Sequence, residues 1–457
     1  MAISDAISEL SLLLGKHLVR SKSDLAIHGH SESHFPVTPP DAVAYPKNTR
    51  QLAQIVSICA KHNCPVIGWG AGTSLEGHTL AVQGGVTVDF SRMNKVLQVN
   101  AADMNVVVQS GLTREDLNTH LRDTGLFFPV DPGANASLGG MVATGASGTT
   151  TVRYGTMGDN VMALELVLAS GQIIRTGSQA AKSSAGYDLT ALMVGSEGTL
   201  GLISEITLRL HGQPEAISAA VCAFPTIDQA VNAVIATIQL GIPMARIEFI
   251  DAATVTACNA YSKTDLPQQP HLMVEFHGSV DAVAEQAAQF GEVAADYDAA
   301  DFQWSAQPED RAKLWAMRHN AYYACLALRP GARALVTDIC LPISKLAQAV
   351  RETQDDIAAS SIDGPILGHV GDGNFHAILL VDPNIRAEMD AAHELSAKMS
   401  ARALKLGGTI TGEHGIGMGK LGFMDAQHGA AWPVMAEIKR ALDPKNIMNP
   451  GKVVRLN

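Results

Sequence analysis

The feature that most restricts this chain is a set of three loops built almost wholly of small residues and set into an alternation of strands and helices. The first, Gly68-Trp69-Gly70-Ala71-Gly72-Thr73-Ser74-Leu75-Glu76-Gly77, follows an apolar strand at 65–67 and precedes another at 86–89. Glycine lacks a Cβ and tolerates φ > 0, so such a loop can turn several backbone N–H groups toward an anion such as a pyrophosphate. Taken alone it is equally a tight surface turn. It does not fit the dinucleotide fingerprint: Leu75 stands where the third glycine should be, and a strand follows instead of a helix, which disfavours a nicotinamide Rossmann site. The second loop, 131–148, is too poor in apolar residues to pack by itself and reads as a wall for a flat, extended ligand. Gly195-Ser196-Glu197-Gly198-Thr199-Leu200-Gly201 repeats the theme. Three such loops within one α/β region point to a bound cofactor.

A chain of 457 residues is too long for one ordinary core and suggests two to three domains. Hydrophobic residues at 47% against 17% charged permit extensive burial. A formal charge of -12, with no basic cluster, disfavours a nucleic-acid surface. The six cysteines form no Cys-x-x-Cys spacing, so neither a zinc ribbon nor a disulfide framework is expected. The first 20 residues read as neither a signal nor a transit peptide, and no apolar run is long enough to span a bilayer. The expectation is a cytoplasmic protein, with docking at the membrane periphery through a partner left open.

Residues 46–62 have helical spacing, with Thr49 as the expected N-cap. Strand-like runs at 106–108, 164–169 and 203–208 alternate with the loops. A boundary is expected at 210–225, followed by a helix-rich region with strands at 272–276 and 335–341. A helix at 434–442 closes the chain.

Val370-Gly371-Asp372-Gly373-Asn374-Phe375 sets Asp-Gly between apolar runs, a strong signal for a two-residue hairpin turn. With Asp372 and Gly373 as the turn, His369 opposes His376, giving two imidazoles on one face with Cβ atoms about 5 Å apart. A lone strand histidine is usually just hydrogen-bonded; a cross-strand pair has chelating geometry. Neutral imidazoles need a further ligand, and a carboxylate supplies charge neutralisation. Glu413, at the end of an apolar strand in Thr411-Gly412-Glu413-His414-Gly415, is the candidate, although spacing alone cannot bring it to His369. A Lewis-acidic ion on an alcohol, a neighbouring base and a hydride acceptor form one chemistry, and His414 is the candidate base.

With these segments assembled, together with 315–320, 337–342, 411–420 and Asn449-Pro450-Gly451-Lys452, the chain resembles the flavoprotein D-lactate dehydrogenases of the vanillyl-alcohol-oxidase (PCMH-type) FAD family. These are relatives of the D-2-hydroxyglutarate dehydrogenases and glycolate oxidase flavin subunits. The resemblance covers nearly the whole chain. It implies an α+β fold: an N-terminal helical segment at 1–35, a PCMH-type FAD-binding domain of two α/β subdomains at 36–213, a cap domain with an antiparallel sheet at 214–420, and a segment at 421–457 returning to the FAD domain. It implies non-covalent FAD held by Gly70, Ala71, Gly72, Thr73, Ser74 and Gly77. Pro132, Gly133, Ala134, Ser137, Gly140, Thr144, Ser147 and Gly148 would line the ribityl chain and ring, with Gly198 and Ile203 on the adenine side and Asn449 also in contact. His78 lies beyond the position that relatives with histidyl-linked flavin use.

The resemblance further implies zinc or manganese on His369, His376 and Glu413, with His414 as base. Asn374 would meet substrate or flavin, and Arg318 would clamp the substrate carboxylate, where a bidentate guanidinium suits. On sequence alone Arg318 would be a solvated helix residue. Val336 stands where the 2-hydroxyglutarate enzymes carry a lysine for the distal carboxylate, favouring a monocarboxylate such as D-lactate. Electrons would pass to a cytochrome, a quinone or a carrier protein, and a homodimer is among the assemblies allowed. The alternatives are a glycolate or 2-hydroxyglutarate dehydrogenase, or a non-catalytic flavin- or metal-binding subunit.

Overall fold

The computed structural model describes residues 2–456. It divides into two compact units: 2–147, Gly155–Gln213 and 413–456 in the first, Gly148–Tyr154 and Pro214–Gly412 in the second.

In the first unit, the helix Thr49–His62 buries Leu52, Ile55, Val56 and Cys59 along one face. Its N-cap is Asn48, not Thr49. Asn48 holds extended backbone at φ -162° and its side chain accepts from Gln51 N at 2.9 Å, so Thr49 becomes the first helical residue. The strand Val86–Asp89 lies between Ala42–Ala44 and Val66–Trp69, parallel to both, and Leu18–Val19 completes a four-stranded sheet. A second, antiparallel sheet runs in the order Val96–Asn100, Asn105–Gln109, Leu202–Arg209, Val161–Val167, Ile173–Gly177. Each sheet has its own apolar core.

The second small-residue loop is not bare wall. Residues Leu138–Thr144 form a helix, with the Ser137 hydroxyl accepting from Gly140 N at 3.3 Å and Leu138, Met141 and Val142 buried. Gly139 and Gly140 weaken its intrinsic propensity, and burial of that apolar triplet overrides them. The legible signal was a capping serine before apolar residues at i, i+3 and i+4.

The second unit is built on an eight-stranded antiparallel sheet, ordered Ala300–Ser305, Ala216–Ala223, His271–Gly278, Met244–Ile250, Ile366–Gly368, Asn374–Val381, Arg333–Val336, with Ile339–Cys340 also on Asn374–Val381. The expected boundary at 210–225 contains the change of unit, at Gln213–Pro214, and most of the rest of it is an interior strand. Ala216–Ala223 is alanine-rich and a poor strand former, but it pairs all eight residues with His271–Gly278.

Alternation sends Leu272, Val274 and Phe276 into the core formed with helices Ile227–Gln239, Val280–Asp296, Leu346–Ala358 and Arg386–Lys405. Met273 faces the other way, toward Ala252–Ser262, Pro308–His319 and Ala321–Ala327. A bulge decides what else that second face carries. Met244 pairs with Phe276, but Arg246 pairs with Glu275, so one extra residue turns Arg246 and Glu248 away from the core side.

Candidate active site

In the first unit the glycine loop is pressed against the start of the 138–144 helix. A Cβ on Gly70 would lie 2.0 Å from Ser137 Oγ, and one on Gly139 would lie 2.5 Å from Ser110 Cβ. Gly72 and Gly77 hold φ of +74° and +73°, conformations that side chains rarely adopt. Among the described residues, the buried hydroxyls of Ser74 and Ser110 have no hydrogen-bond partner. A surface that admits backbone at close range and offers two orphaned hydroxyls fits a phosphate-bearing ligand lying along it.

The other expected cofactor residues of this unit are spread around that surface. Thr144 Oγ1 donates to Gly140 O at 3.1 Å, Ile203 lies in the apolar core, and Ala71 and Gly133 are exposed. Ser147 Oγ donates to Glu413 Oε2 at 2.8 Å. The His414 imidazole, largely buried, has Nε2 3.8 Å from Glu413 Oε1. The Asn449 amide ties two loops together, donating to His78 O at 2.9 Å and Glu197 O at 2.8 Å.

Glu197 is a residue that sequence reasoning missed. It sits at φ 54°, and its buried carboxylate accepts Ile416 N at 2.7 Å and Gly417 N at 2.8 Å, so the third small-residue loop clamps the segment that follows His414. Its only sequence signal was a charged residue inside a run of small ones.

The second unit holds Gly148, Arg318, His369, Asn374 and His376. The hairpin differs from expectation in register. Leu367 pairs with His376, and His369 O accepts from Asp372 N at 3.0 Å and Asn374 N at 3.2 Å, which leaves four residues, 370–373, in the loop. Gly373, at φ +77°, supplies the left-handed position of that longer turn. The shift amounts to two residues across the pair, an even number, so both histidines keep the same face as diagonal neighbours. Their ring centroids are 5.7 Å apart at 83°.

The tautomers follow from the partners. His376 Nδ1 lies 3.1 Å from the Thr337 carbonyl, which can only accept, and His369 Nδ1 lies 2.7 Å from Glu248 Oε1. Each ring therefore donates from Nδ1, which makes Nε2 the nitrogen that a metal ion would take. Two such imidazoles fit a divalent ion. Gly412, the last residue of this unit, donates to Asp338 Oδ2 at 2.9 Å, and Glu413 is the next residue in the chain.

Asp338 also accepts from Thr411 Oγ1 and from Asn374 Nδ2, both at 2.7 Å. Asn374 Oδ1 is buried with no hydrogen-bond partner among the described residues, an acceptor held ready for a ligand.

Arg318 is not a solvated helix residue. It is buried, donates from Nη2 to Glu248 Oε2 at 2.5 Å, and keeps Nε without a hydrogen-bond partner among the described residues. Burial pushes the Glu248 carboxyl upward, but His369 and Arg318 outweigh it and hold Glu248 below the usual carboxylate range. Farther along the same face, Tyr154 Oη meets His277 Nδ1 at 2.7 Å, His277 Nε2 meets Glu275 Oε1 at 2.8 Å, and the Arg246 guanidinium lies 4.7 Å over the Trp315 ring. Nothing in the spacing marks Arg246 or Glu248 for this face, because the bulge that turns them has no local signature.

Comparison with known proteins adds two matched regions: residues 40–177 match an FAD binding domain, and residues 213–453 match the C-terminal domain of FAD linked oxidases. The chain is 47% identical over 433 residues to the probable mitochondrial D-lactate dehydrogenase of Danio rerio, covering 94% of this chain and 87% of that one. It is 41% identical over 453 residues to the mitochondrial D-lactate dehydrogenase [cytochrome] of Arabidopsis thaliana, covering 98% and 80%. Among solved structures, substrate-bound p-cresol methylhydroxylase superposes with a TM-score of 0.78 at 16% identity, over 99% of this chain and 96% of that one. The fold is thus the PCMH type with antiparallel sheets and flanking helices, as expected. The cytoplasmic expectation is overturned, because both named relatives are mitochondrial and point there instead. Unpaired cysteines could not have distinguished the compartments, since address signals rather than fold composition set location. Among the described residues, no helix is long and apolar enough to cross a membrane.

Proposed function

The chain belongs to the FAD-linked oxidases, and from that premise we propose that it oxidises D-lactate, or a similar D-2-hydroxy monocarboxylate, to the 2-oxo acid. The observation that carries this reading is the pair of imidazoles with Nδ1 locked and Nε2 presented, on the sheet face that also holds the buried Arg318. The relatives' names supply the substrate, and Val336, packed into an apolar cluster with Trp315 and Ile378, offers no partner for a second carboxylate.

In this mechanism Arg318 binds the substrate carboxylate and fixes which face of C2 is presented. His369, His376 and Glu413 would hold zinc or manganese, and such an ion supplies the Lewis acidity that lowers the pKa of the substrate hydroxyl. His414 takes the hydroxyl proton, and Asn374 Oδ1 accepts a hydrogen bond from substrate or flavin. Gly70, Ser74, Ser110 and Ser137 would hold FAD, which when bound would supply the hydride acceptor. Loss of one proton and one hydride would convert the alcohol to the ketone, and the two electrons would go on to a cytochrome, a quinone or a carrier protein; the Arabidopsis relative is named D-lactate dehydrogenase [cytochrome].

Anaerobic mixing of the flavin-loaded protein with D-lactate should bleach the flavin absorbance, and L-lactate should leave it unchanged. Flavin that stays oxidised with D-lactate but bleaches with glycolate or D-2-hydroxyglutarate refutes the substrate. Flavin that stays oxidised with all of them refutes the dehydrogenase reading.

A further inference from the structure

Glu248 stands on an interior strand of the second unit's sheet and is 1% exposed. A carboxylate there is strongly disfavoured unless it is paired on several sides. Among the described residues it has two partners. Oε1 takes the His369 Nδ1 proton at 2.7 Å, and Oε2 takes an Arg318 Nη2 proton at 2.5 Å. Cross-strand from it on one side is Met273, and on the other the register that pairs Phe249 with Gly368 leads on to His369. The bulge at Ala245 brings it to this face; without the extra residue it would point into the apolar core on the far side.

Each contact has a directional consequence. The bond to His369 fixes both the tautomer and the ring rotation, so Nε2 is the lone-pair nitrogen and its direction is set by the carboxylate. The bond to Arg318 occupies one nitrogen of the guanidinium fork and leaves the buried Nε to another acceptor. A carboxylate is rigid and planar, so displacing one oxygen displaces the other.

We infer that Glu248 is a positioning residue that couples two sites, aligning His369 for the metal and Arg318 for the substrate carboxylate through one rigid group. This rests on the function proposed above. Occupation of one site then stiffens the same carboxylate that orients the other, so metal binding should tighten substrate binding and the reverse.

The test uses the full chain loaded with FAD and titrates Zn2+ against a fluorescent chelator, with KM and kcat for D-lactate measured in parallel. Glu248→Gln keeps the shape and removes the charge. It should weaken Zn2+ binding by roughly 10–100-fold, as loss of an outer-sphere carboxylate does, and should raise KM by about tenfold while flavin content stays at the wild-type value. Glu248→Asp keeps the charge but withdraws it by one methylene. If Glu248→Gln fails to fold, Glu248→Asp must still weaken Zn2+ binding and raise KM relative to the wild type. A folded variant with wild-type Zn2+ affinity and KM overturns the inference. A fall in Zn2+ affinity with unchanged KM also overturns it, because Glu248 would then serve His369 alone. Failure of the underlying reading is seen separately, in wild-type protein that binds no Zn2+ or whose flavin D-lactate does not bleach.

Discussion

Lys452 should make the stability of the first unit rise with pH across a defined window. Its side chain is 1% exposed and donates to Leu80 O at 2.8 Å and Asn449 Oδ1 at 3.2 Å, neutral acceptors both. Burial pushes the ammonium down to about 8, with Glu197 opposing. In the unfolded chain a lysine titrates near 10.4. Between these values the unfolded chain binds more protons than the folded one, so stability increases with pH; below pH 8 both forms are protonated and the penalty is constant. The gap corresponds to about 3 kcal/mol. Tyr45, whose hydroxyl burial pushes up to about 12, acts in the opposite direction above pH 10, so wild type alone is not diagnostic. Lys452→Met removes the ammonium and keeps most of the stem. Urea unfolding read by flavin release, from pH 7.5 to 10, should show the wild type gaining on the variant by roughly 2 kcal/mol over that interval. A difference that stays flat within about 0.5 kcal/mol would refute the claim that burial disfavours the Lys452 ammonium in the folded protein.

Three further outcomes bear on the proposed reaction. His414→Ala should retain FAD but slow anaerobic flavin reduction by D-lactate by roughly 100-fold or more, as loss of a general base does; wild-type reduction rates in stopped flow would remove it from the mechanism. Arg318→Ala should raise KM for D-lactate far more than it lowers kcat, and should also destabilise the second unit by about 3–5 kcal/mol, because it leaves Glu248 a buried carboxylate with one partner fewer. Steady-state kinetics with calorimetry check both effects, and an unchanged KM would mean that the carboxylate binds elsewhere. Val336→Lys should raise kcat/KM for D-2-hydroxyglutarate by on the order of tenfold at a stability cost of about 1–2 kcal/mol, since half-buried apolar contacts are lost. No gain on the dicarboxylate would show that another residue sets the distal end of the pocket.

Much of the site could be read in sequence because its residue types announce themselves locally. Asp372-Gly373 between apolar runs forced a hairpin, and parity alone placed His369 and His376 on one face even though the register was wrong by two. The glycine loop was legible for the same reason: Gly72 and Gly77 occupy conformations few other residues tolerate. Asn48, rather than Thr49, and the helix Leu138–Thr144 were misread because propensity ranks alternatives only weakly, and backbone direction and burial then choose among them.

The sequence by itself determined where backbone must bend, which strands alternate, and which small-residue segments leave room for a ligand, because those are constraints of sterics and periodicity acting within a few residues. Only the tertiary structure decided that Glu248 joins Arg318 to His369 and that Glu197 clamps the segment after His414, since these contacts span 70, 121 and about 220 positions of chain. A single-residue bulge reverses which face Arg246 and Glu248 occupy. Its cost is settled by the packing of the whole sheet, a quantity that no local window of sequence contains.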